Sequence, residues 1–473
     1  MAAPRVLHRR RDHIYVNGRH HPVPDLYTIV SPATGKPYAY APAATRLDVD
    51  HAVASARVAF DVGPWPRLTW AERATFLARA ARLYREHAPL LAELITGEMG
   101  SPASFTAQTT HPPAVLDHYS TAPPHLAAPE IRDGYELHHE PVGVVGIITP
   151  WNMPSKTILM KLAPALLAGC TAVVKPAPQT PLDALELAGL LHDAGIPPGV
   201  VNVVTTPDSN VAEHLVTHPA VDKIAFTGST ATGSRIAAQC GADIRRCTLE
   251  LGGKSPMVIT EGADAAAAVA TVPALSLANS GQICSNLTRI LVHQSLYTDV
   301  LDALHAVMDR LIVGDPADPA TDIGPLVTEQ QRNRALDSVH RAVTEGATLH
   351  RGGFAVPGPG WYFAPAILTT TDPANHAFQA EIFAPVLTVT PFHDDTEAVR
   401  LANATPYGLD AAVWADDPAR ARAIAAQIRS GTVRVNGAEP PVTAPLGGFR
   451  RSGIGRELGP EGLAHYVEHK VVA

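Results

Sequence analysis

Val142-Gly143-Val144-Val145-Gly146-Ile147-Ile148 is an almost unbroken apolar run. A half-exposed strand would alternate apolar and polar side chains, so this run reads as a strand covered on both faces. Helical and strand-like stretches then alternate. Residues 161–167 read as helix, and 171–174, 200–204 and 221–226 as three further short strands. Thr180-Pro181-Leu182-Asp183 reads as a helix start with a hydroxyl cap and a proline in the first turn, and that helix ends near Gly195. Right-handed strand–helix–strand units build a parallel sheet, which makes the expected class α/β, with a nucleotide site at the strand carboxyl ends. A second α/β pattern runs from about residue 252 to 435, interrupted by Pro-, Gly- and Asp-rich loops at 315–325 and 352–360.

Toward the N-terminus, Ile14-Tyr15-Val16 runs into Asn17-Gly18, a strong hairpin signal. Thr69 and Glu72 form a capping box ahead of Leu77, Ala80, Ala81 and Tyr84 at helical spacing. Pro112, Pro113, Pro123, Pro124 and Pro129 then read as an excursion away from the first core. Residues 131–139 alternate with period two, as an exposed strand does.

Composition narrows the function classes. At 473 residues the chain is too long for one core. With 46% hydrophobic and 17% charged residues and a formal charge of -8 without an acidic or basic block, it suits neither nucleic acid nor an anionic membrane. Cys170, Cys240, Cys247 and Cys284 are too few for a disulfide framework, so a reducing compartment is expected. The arginine-rich start lacks the apolar run of a secretory signal, which leaves the cytoplasm as the default location. His138-His139 has no third ligand at useful spacing, so no metal is expected.

Four features carry chemistry. Asn279-Ser280-Gly281-Gln282-Ile283-Cys284-Ser285 presents a cysteine in a small, polar, Gly-containing loop. A cysteine there is a candidate nucleophile, although an isolated one is more often an inert small hydrophobe. The fourth strand of the first half leads into Phe226-Thr227-Gly228-Ser229-Thr230-Ala231-Thr232-Gly233, where backbone N–H groups and a helix N-terminus are placed to face a phosphate. The bland reading is a capped helix after a turn. Glu250 lies inside an apolar strand-like run that breaks on Gly252-Gly253, where desolvation raises a carboxyl pKa and suits it to proton abstraction; a structural ion pair is the competing reading. Asn152, after the Val142 run, has an amide able to donate to an oxyanion, or is simply a turn residue.

Together these segments resemble the aldehyde dehydrogenase superfamily, in the family's order and over nearly the whole chain. Pro150-Trp151-Asn152-Met153-Pro154, Val174-Lys175-Pro176, Phe226-Thr227-Gly228-Ser229, Leu249-Glu250-Leu251-Gly252-Gly253-Lys254 and Gly281-Gln282-Ile283-Cys284 carry it, with Glu381-Ile382-Phe383, Pro406-Tyr407-Gly408-Leu409 and Pro445-Leu446-Gly447-Gly448-Phe449 downstream. The resemblance implies a Rossmann-type cofactor domain at 1–122 and 141–251, an α/β catalytic domain at 252–455, and an oligomerisation element at 123–140 and 456–473. It implies oxidation of an aldehyde to a carboxylic acid with NAD or NADP. Cys284 would be the nucleophile, Asn152 the oxyanion donor, Glu250 the general base and Lys161 its support. The implied cofactor residues are Ile148, Thr149, Pro150, Trp151, Lys175, Pro178, Phe226, Thr227, Gly228, Ser229, Thr232, Leu251, Gly252, Glu381 and Phe383. Met153, Thr157, Met160, Ser285 and Leu446 would line an aliphatic, fairly open substrate channel, favouring neutral aldehydes.

Departures from the family pattern matter as well. Pro178 stands where the family commonly has a glutamate that rejects a 2′-phosphate, so discrimination against NADP should be weak. A homodimer or homotetramer is implied, with the 126–140 segment pairing with the C-terminal strand. The alternatives are a semialdehyde dehydrogenase of a specific catabolic pathway, an acylating enzyme, against which Glu250 argues, and an inactive binding protein, against which Cys284 and Glu250 both argue.

Overall fold

The computed structural model describes residues 11–121 and 128–473. Pro123, Pro124 and the start of the expected oligomerisation element lie outside those residues.

The first sheet has eight strands in the order Gly453–Ile454, Arg246–Glu250, Lys223–Thr227, Val144–Ile148, Thr171–Lys175, Val201–Val203, His13–Val16 and Arg19–Pro22. The five central strands are parallel, and every residue of Val144–Ile148 is buried, as its composition requires. Strand order runs one way from Val144–Ile148 and reverses at Lys223–Thr227, so the crevice beyond these carboxyl ends is a topological switch point. Two hydrophobic cores cover the two faces. Leu77, Tyr84, Leu159 and Leu166 pack on one, and Val49, Val53, Leu215 and Ile236 on the other.

The second sheet has seven strands, Thr348–Arg351, Ala366–Thr369, Val386–Phe392, Arg289–His293, Pro256–Ile259, Ala412–Trp414 and Arg434–Val435, parallel except for the first. Asn17 and Gly18 take φ of 52° and 72°, closing the N-terminal hairpin as the Asn-Gly pair predicts. The Thr69–Glu72 capping box is formed, with the Thr69 N–H donating to Glu72 Oε2 at 2.7 Å.

Three local readings change. Pro112 and Pro113 lie inside the Ala107–His118 helix, buried against its neighbours, and not on an excursion. A proline at 112 leaves the Gln108 carbonyl without its helical donor, and the Tyr84 hydroxyl donates to that oxygen at 3.5 Å. The Leu182–Asp193 helix is not capped by Thr180: its Leu182 N–H donates to Glu98 Oε1 at 2.8 Å, across from the Trp70–Met99 helix. Residues 131–139 are two strands, because Gly134 (φ 84°) turns the chain between Glu130–Arg132 and Tyr135–Pro141. The C-terminal strand Val467–Val472 pairs antiparallel with Tyr135–Pro141, making a three-stranded sheet.

Candidate active site

Cys284 lies on a loop that is held in an unusual backbone shape. Asn279, Ser280 and Gly281 are successive left-handed residues, with φ of 53°, 59° and 75°. Such conformations cost roughly 1–3 kcal/mol each in non-glycine residues and persist only where surroundings impose them. Hydrogen bonds impose them here. Asn279 Nδ2 donates to the Asn152 carbonyl at 2.9 Å, Gly324 N–H to Ser280 Oγ at 2.9 Å, and Val327 N–H to Gln282 Oε1 at 3.0 Å. Gly281 is required for a second reason: a Cβ there would sit 2.3 Å from the Ala384 carbonyl carbon. Asn152 Nδ2 donates to the Gln282 carbonyl at 2.8 Å, tying the amide to the loop two residues before the sulfur.

Strand register sets the facing wall. Thr227 pairs with Glu250, Phe226 with Ile148, and Ile148 with Lys175, so these residues form a row along the carboxyl edge of the first sheet. Two cavities meet at Cys284, Asn152 and Thr227. One, of about 560 Å³, is bounded by Pro150, Trp151, Gly228, Ser229, Leu251, Gly252, Glu381 and Phe383. The other, of about 290 Å³, is bounded by Met153, Thr157, Met160, Ser285 and Leu446, and Glu250 opens onto it. Every residue expected in the substrate channel therefore borders the smaller cavity. Of the expected cofactor residues, Ile148, Thr149, Lys175, Pro178, Phe226 and Thr232 do not bound the larger cavity; they follow the strand ends outward or lie in the first turn after Ser229.

The first cavity is shaped for a dinucleotide. Ser229 caps the Thr230–Ala242 helix, accepting from the Thr232 N–H, and leaves the helix N-terminus facing the cavity. A Cβ on Gly252 would fall 2.1 Å from Glu381 Oε2, so only glycine admits that carboxylate. Glu381 Oε1 accepts from the Gly253 N–H at 3.0 Å, and burial pushes its pKa up to about 7. Thr149 Oγ1 is buried without a partner, and the Lys175 side chain, also buried, has none among the described residues; burial lowers its pKa to about 8. These orphaned polar groups fit a ribose and phosphate ligand. Phe383, itself left-handed (φ 58°), stacks edge-on against Trp151 with ring centroids 5.5 Å apart.

The second cavity is electrostatically tuned. Burial, and then Glu457, holds Glu250 well above the usual carboxylate range, with Lys161 and Arg456 opposing; its Oε1 has no partner. Lys161 is bonded to Glu457 Oε1 and Thr227 Oγ1, so it acts on Glu250 through charge and not through a hydrogen bond. The Cys284 thiol is pushed up to about 12 by burial, then by Glu381 and Glu250, while Lys156 pulls the other way.

Lys156, His111, Glu457 and the Arg434–Asp410 pair are additions that sequence reasoning missed. The signal for Lys156 was available, since it lies one helical turn before Met160 and on its face. The channel is accordingly not purely aliphatic. Among the described residues one trio, Asp50, His214 and His218, has metal-ligand character. His214 Nε2 is hydrogen-bonded to Asp50 Oδ1 at 2.5 Å, and His218 Nδ1 accepts from the Ala220 N–H, which leaves its proton on Nε2.

Comparison with known proteins fits this geometry. Residues 21–472 match the family model described as the aldehyde dehydrogenase family. A geranial dehydrogenase from Castellaniella defragrans is 38% identical over 91% of both chains, and betaine aldehyde dehydrogenase 1 from Oryza sativa 39% identical over 100% of this chain and 96% of its own. A Mycobacterium tuberculosis aldehyde dehydrogenase crystallised with NAD+ superposes with a TM-score of 0.95 at 38% identity, covering 98% of each chain. A Pseudomonas syringae aldehyde dehydrogenase variant crystallised with NAD+ and octanal gives 0.94 at 35% identity, covering 100% of this chain and 98% of that one. The chain belongs to the aldehyde dehydrogenase family.

Proposed function

We propose that this protein oxidises an aldehyde to its carboxylic acid with a nicotinamide dinucleotide, through a covalent adduct on Cys284. The observation that carries this is the meeting of the two cavities at Cys284 and Asn152, with the carboxylate of Glu250 on one side and the helix-capped phosphate turn on the other. Cys284 Sγ gives up its proton to solvent, with Lys156 favouring the anion, and the thiolate adds to the aldehyde carbonyl. Asn152 has two amide hydrogens, one given to the Gln282 carbonyl; the second, with the Cys284 N–H, serves the oxyanion. Bound nicotinamide supplies the hydride acceptor. Glu250 then takes a proton from the water that cleaves the Cys284 thioester.

Ser229 and the N-terminus of its helix suit the pyrophosphate, Lys175 the adenosine ribose, and Glu381 the nicotinamide ribose. NAD+ is present in the solved relatives named above. In this chain Pro178 offers no carboxylate to repel a 2′-phosphate, so NADP should also serve. The division into a cofactor domain, a catalytic domain and an oligomerisation element is part of the same reading. Ile131, Val471 and Val472 are exposed apolar residues on the three-stranded sheet, which supports a homodimer or homotetramer burying them. Among the described residues no helix is long and apolar enough to cross a membrane.

The test is aldehyde-dependent reduction of NAD, followed by absorbance, in the native protein and in Cys284→Ala. The proposal requires turnover in the first and none in the second. Full turnover without the sulfur would overturn it.

A further inference from the structure

Among the described residues that line the smaller cavity, where Glu250, Asp410, Glu439 and Glu457 are the acidic groups, Lys156 is the one lysine or arginine that forms no ion pair. Arg434 is bonded to Asp410 Oδ1, with Glu439 Oε2 3.7 Å from its Nε, and Lys161, behind the wall, is bonded to Glu457. Lys156 is different. Its side chain is half-buried on the cavity wall and has no hydrogen-bond or ion-pair partner among the described residues. The groups facing it are Cys284 and Glu457, which raise its pKa against the lowering by burial, and His111, which burial and Lys156 together hold neutral with a pKa of about 4.

The helix itself does not favour a lysine there. It is the third residue of the Pro154–Ala168 helix, where the macrodipole disfavours a cation, and the first turn has no acidic residue. The ammonium and the helix N-terminus thus act in the same sense, toward an anion. A half-buried cation with no partner is unfavourable alone and becomes favourable when a ligand supplies the opposite charge.

We infer that Lys156 is a specificity-determining residue that selects aldehydes carrying a carboxylate over neutral ones and over those carrying an ammonium group. This rests on the reading of the protein as an aldehyde-oxidising enzyme, and it replaces the neutral aliphatic substrate that the channel's methionines and leucine suggest. Relatives named for geranial and betaine aldehyde take a neutral and a cationic substrate class by name, so the inference sets this chain apart from both.

The experiment measures kcat/KM for butanal, 4-oxobutanoate and 4-aminobutanal in the native enzyme, Lys156→Met and Lys156→Arg. The native enzyme should prefer 4-oxobutanoate to butanal by about 10- to 100-fold, the range carried by a charge-assisted hydrogen bond, and should turn over 4-aminobutanal least. Lys156→Met should abolish that preference mainly through KM, and Lys156→Arg should retain most of it. As a measurement independent of variant folding, succinate should slow iodoacetamide alkylation of Cys284 in the native protein more than butanamide does. Equal kcat/KM for butanal and 4-oxobutanoate in the native enzyme overturns the inference. So does an unchanged preference in Lys156→Met accompanied only by a displaced pH profile of Cys284 alkylation, which would make Lys156 a positioning residue for the thiol. No oxidation of any aldehyde by the native enzyme would instead overturn the functional reading on which the inference rests.

Discussion

Replacing Asn152 with alanine removes two things that can be measured apart. The first is the Nδ2 bond to the Gln282 carbonyl at 2.8 Å, which helps hold the nucleophile loop. Its loss costs about 1–3 kcal/mol if that carbonyl is left buried and unpaired. Three further side-chain bonds still pin the loop, from Asn279, Ser280 and Gln282, so the sulfur should keep its place. The second loss is the remaining amide hydrogen, the donor for the oxyanion. Removing such a donor typically lowers kcat by about 10²–10³, equivalent to roughly 2.7–4 kcal/mol. Aldehyde oxidation and iodoacetamide alkylation separate the two, because alkylation of Cys284 generates no oxyanion. In Asn152→Ala, kcat should fall by that factor while the alkylation rate changes less than about fivefold, as for a loop that stays in place. Equal losses in both assays would make Asn152 only a loop anchor, and a fall in kcat under tenfold would refute the reasoning.

Glu250→Gln should slow steady-state turnover by about 10²–10⁴ while a first-turnover burst of reduced cofactor remains, since only thioester hydrolysis needs the base. The pH dependence has a definite sign. Burial and Glu457 raise the Glu250 pKa, and the ionised form is the active one, so hydrolysis should fail as pH drops through the raised value, where an ordinary glutamate is still ionised; a rate flat down to the ordinary glutamate range would contradict this. Gly281→Ala places a methyl 2.3 Å from the Ala384 carbonyl carbon at a φ of 75°, so denaturant titration should show a loss of several kcal/mol or a displaced loop with negligible activity. A variant with native stability and rate would remove the stated reason for that glycine. Parallel kinetics with NAD and NADP should show a preference below about a hundredfold, because Pro178 cannot repel a 2′-phosphate; a larger ratio would require an acidic group elsewhere near the ribose.

The fold was legible wherever the sequence signal was local and strong. Of the apolar run, Val144–Ile148 is buried throughout and Val142 partly so, and Asn17-Gly18 closes its hairpin with both residues left-handed. Readings failed where a distant partner decided the outcome. Nothing near Leu182 announces that Glu98, from another helix, accepts from its N–H, nor that the Tyr84 hydroxyl supports the Gln108 carbonyl ahead of Pro112. At the site, Cys284, Glu250 and Asn152 were singled out because polar residues interrupt apolar or glycine-rich context. Lys156 is not legible because it lies inside a helix whose other residues read as core, and its significance appears only in the fold, where Arg434 and Lys161 have carboxylates of their own.

The account depends on one covalent bond between substrate and Cys284. Glu250→Gln, mixed with NAD and an aldehyde and quenched within the first turnover, should yield a peptide containing Cys284 heavier by the acyl group, as intact and proteolysed mass spectrometry can read. Hydroxylamine should remove that mass. An unmodified Cys284 peptide while reduced cofactor accumulates, or the acyl group on another residue, would contradict the account.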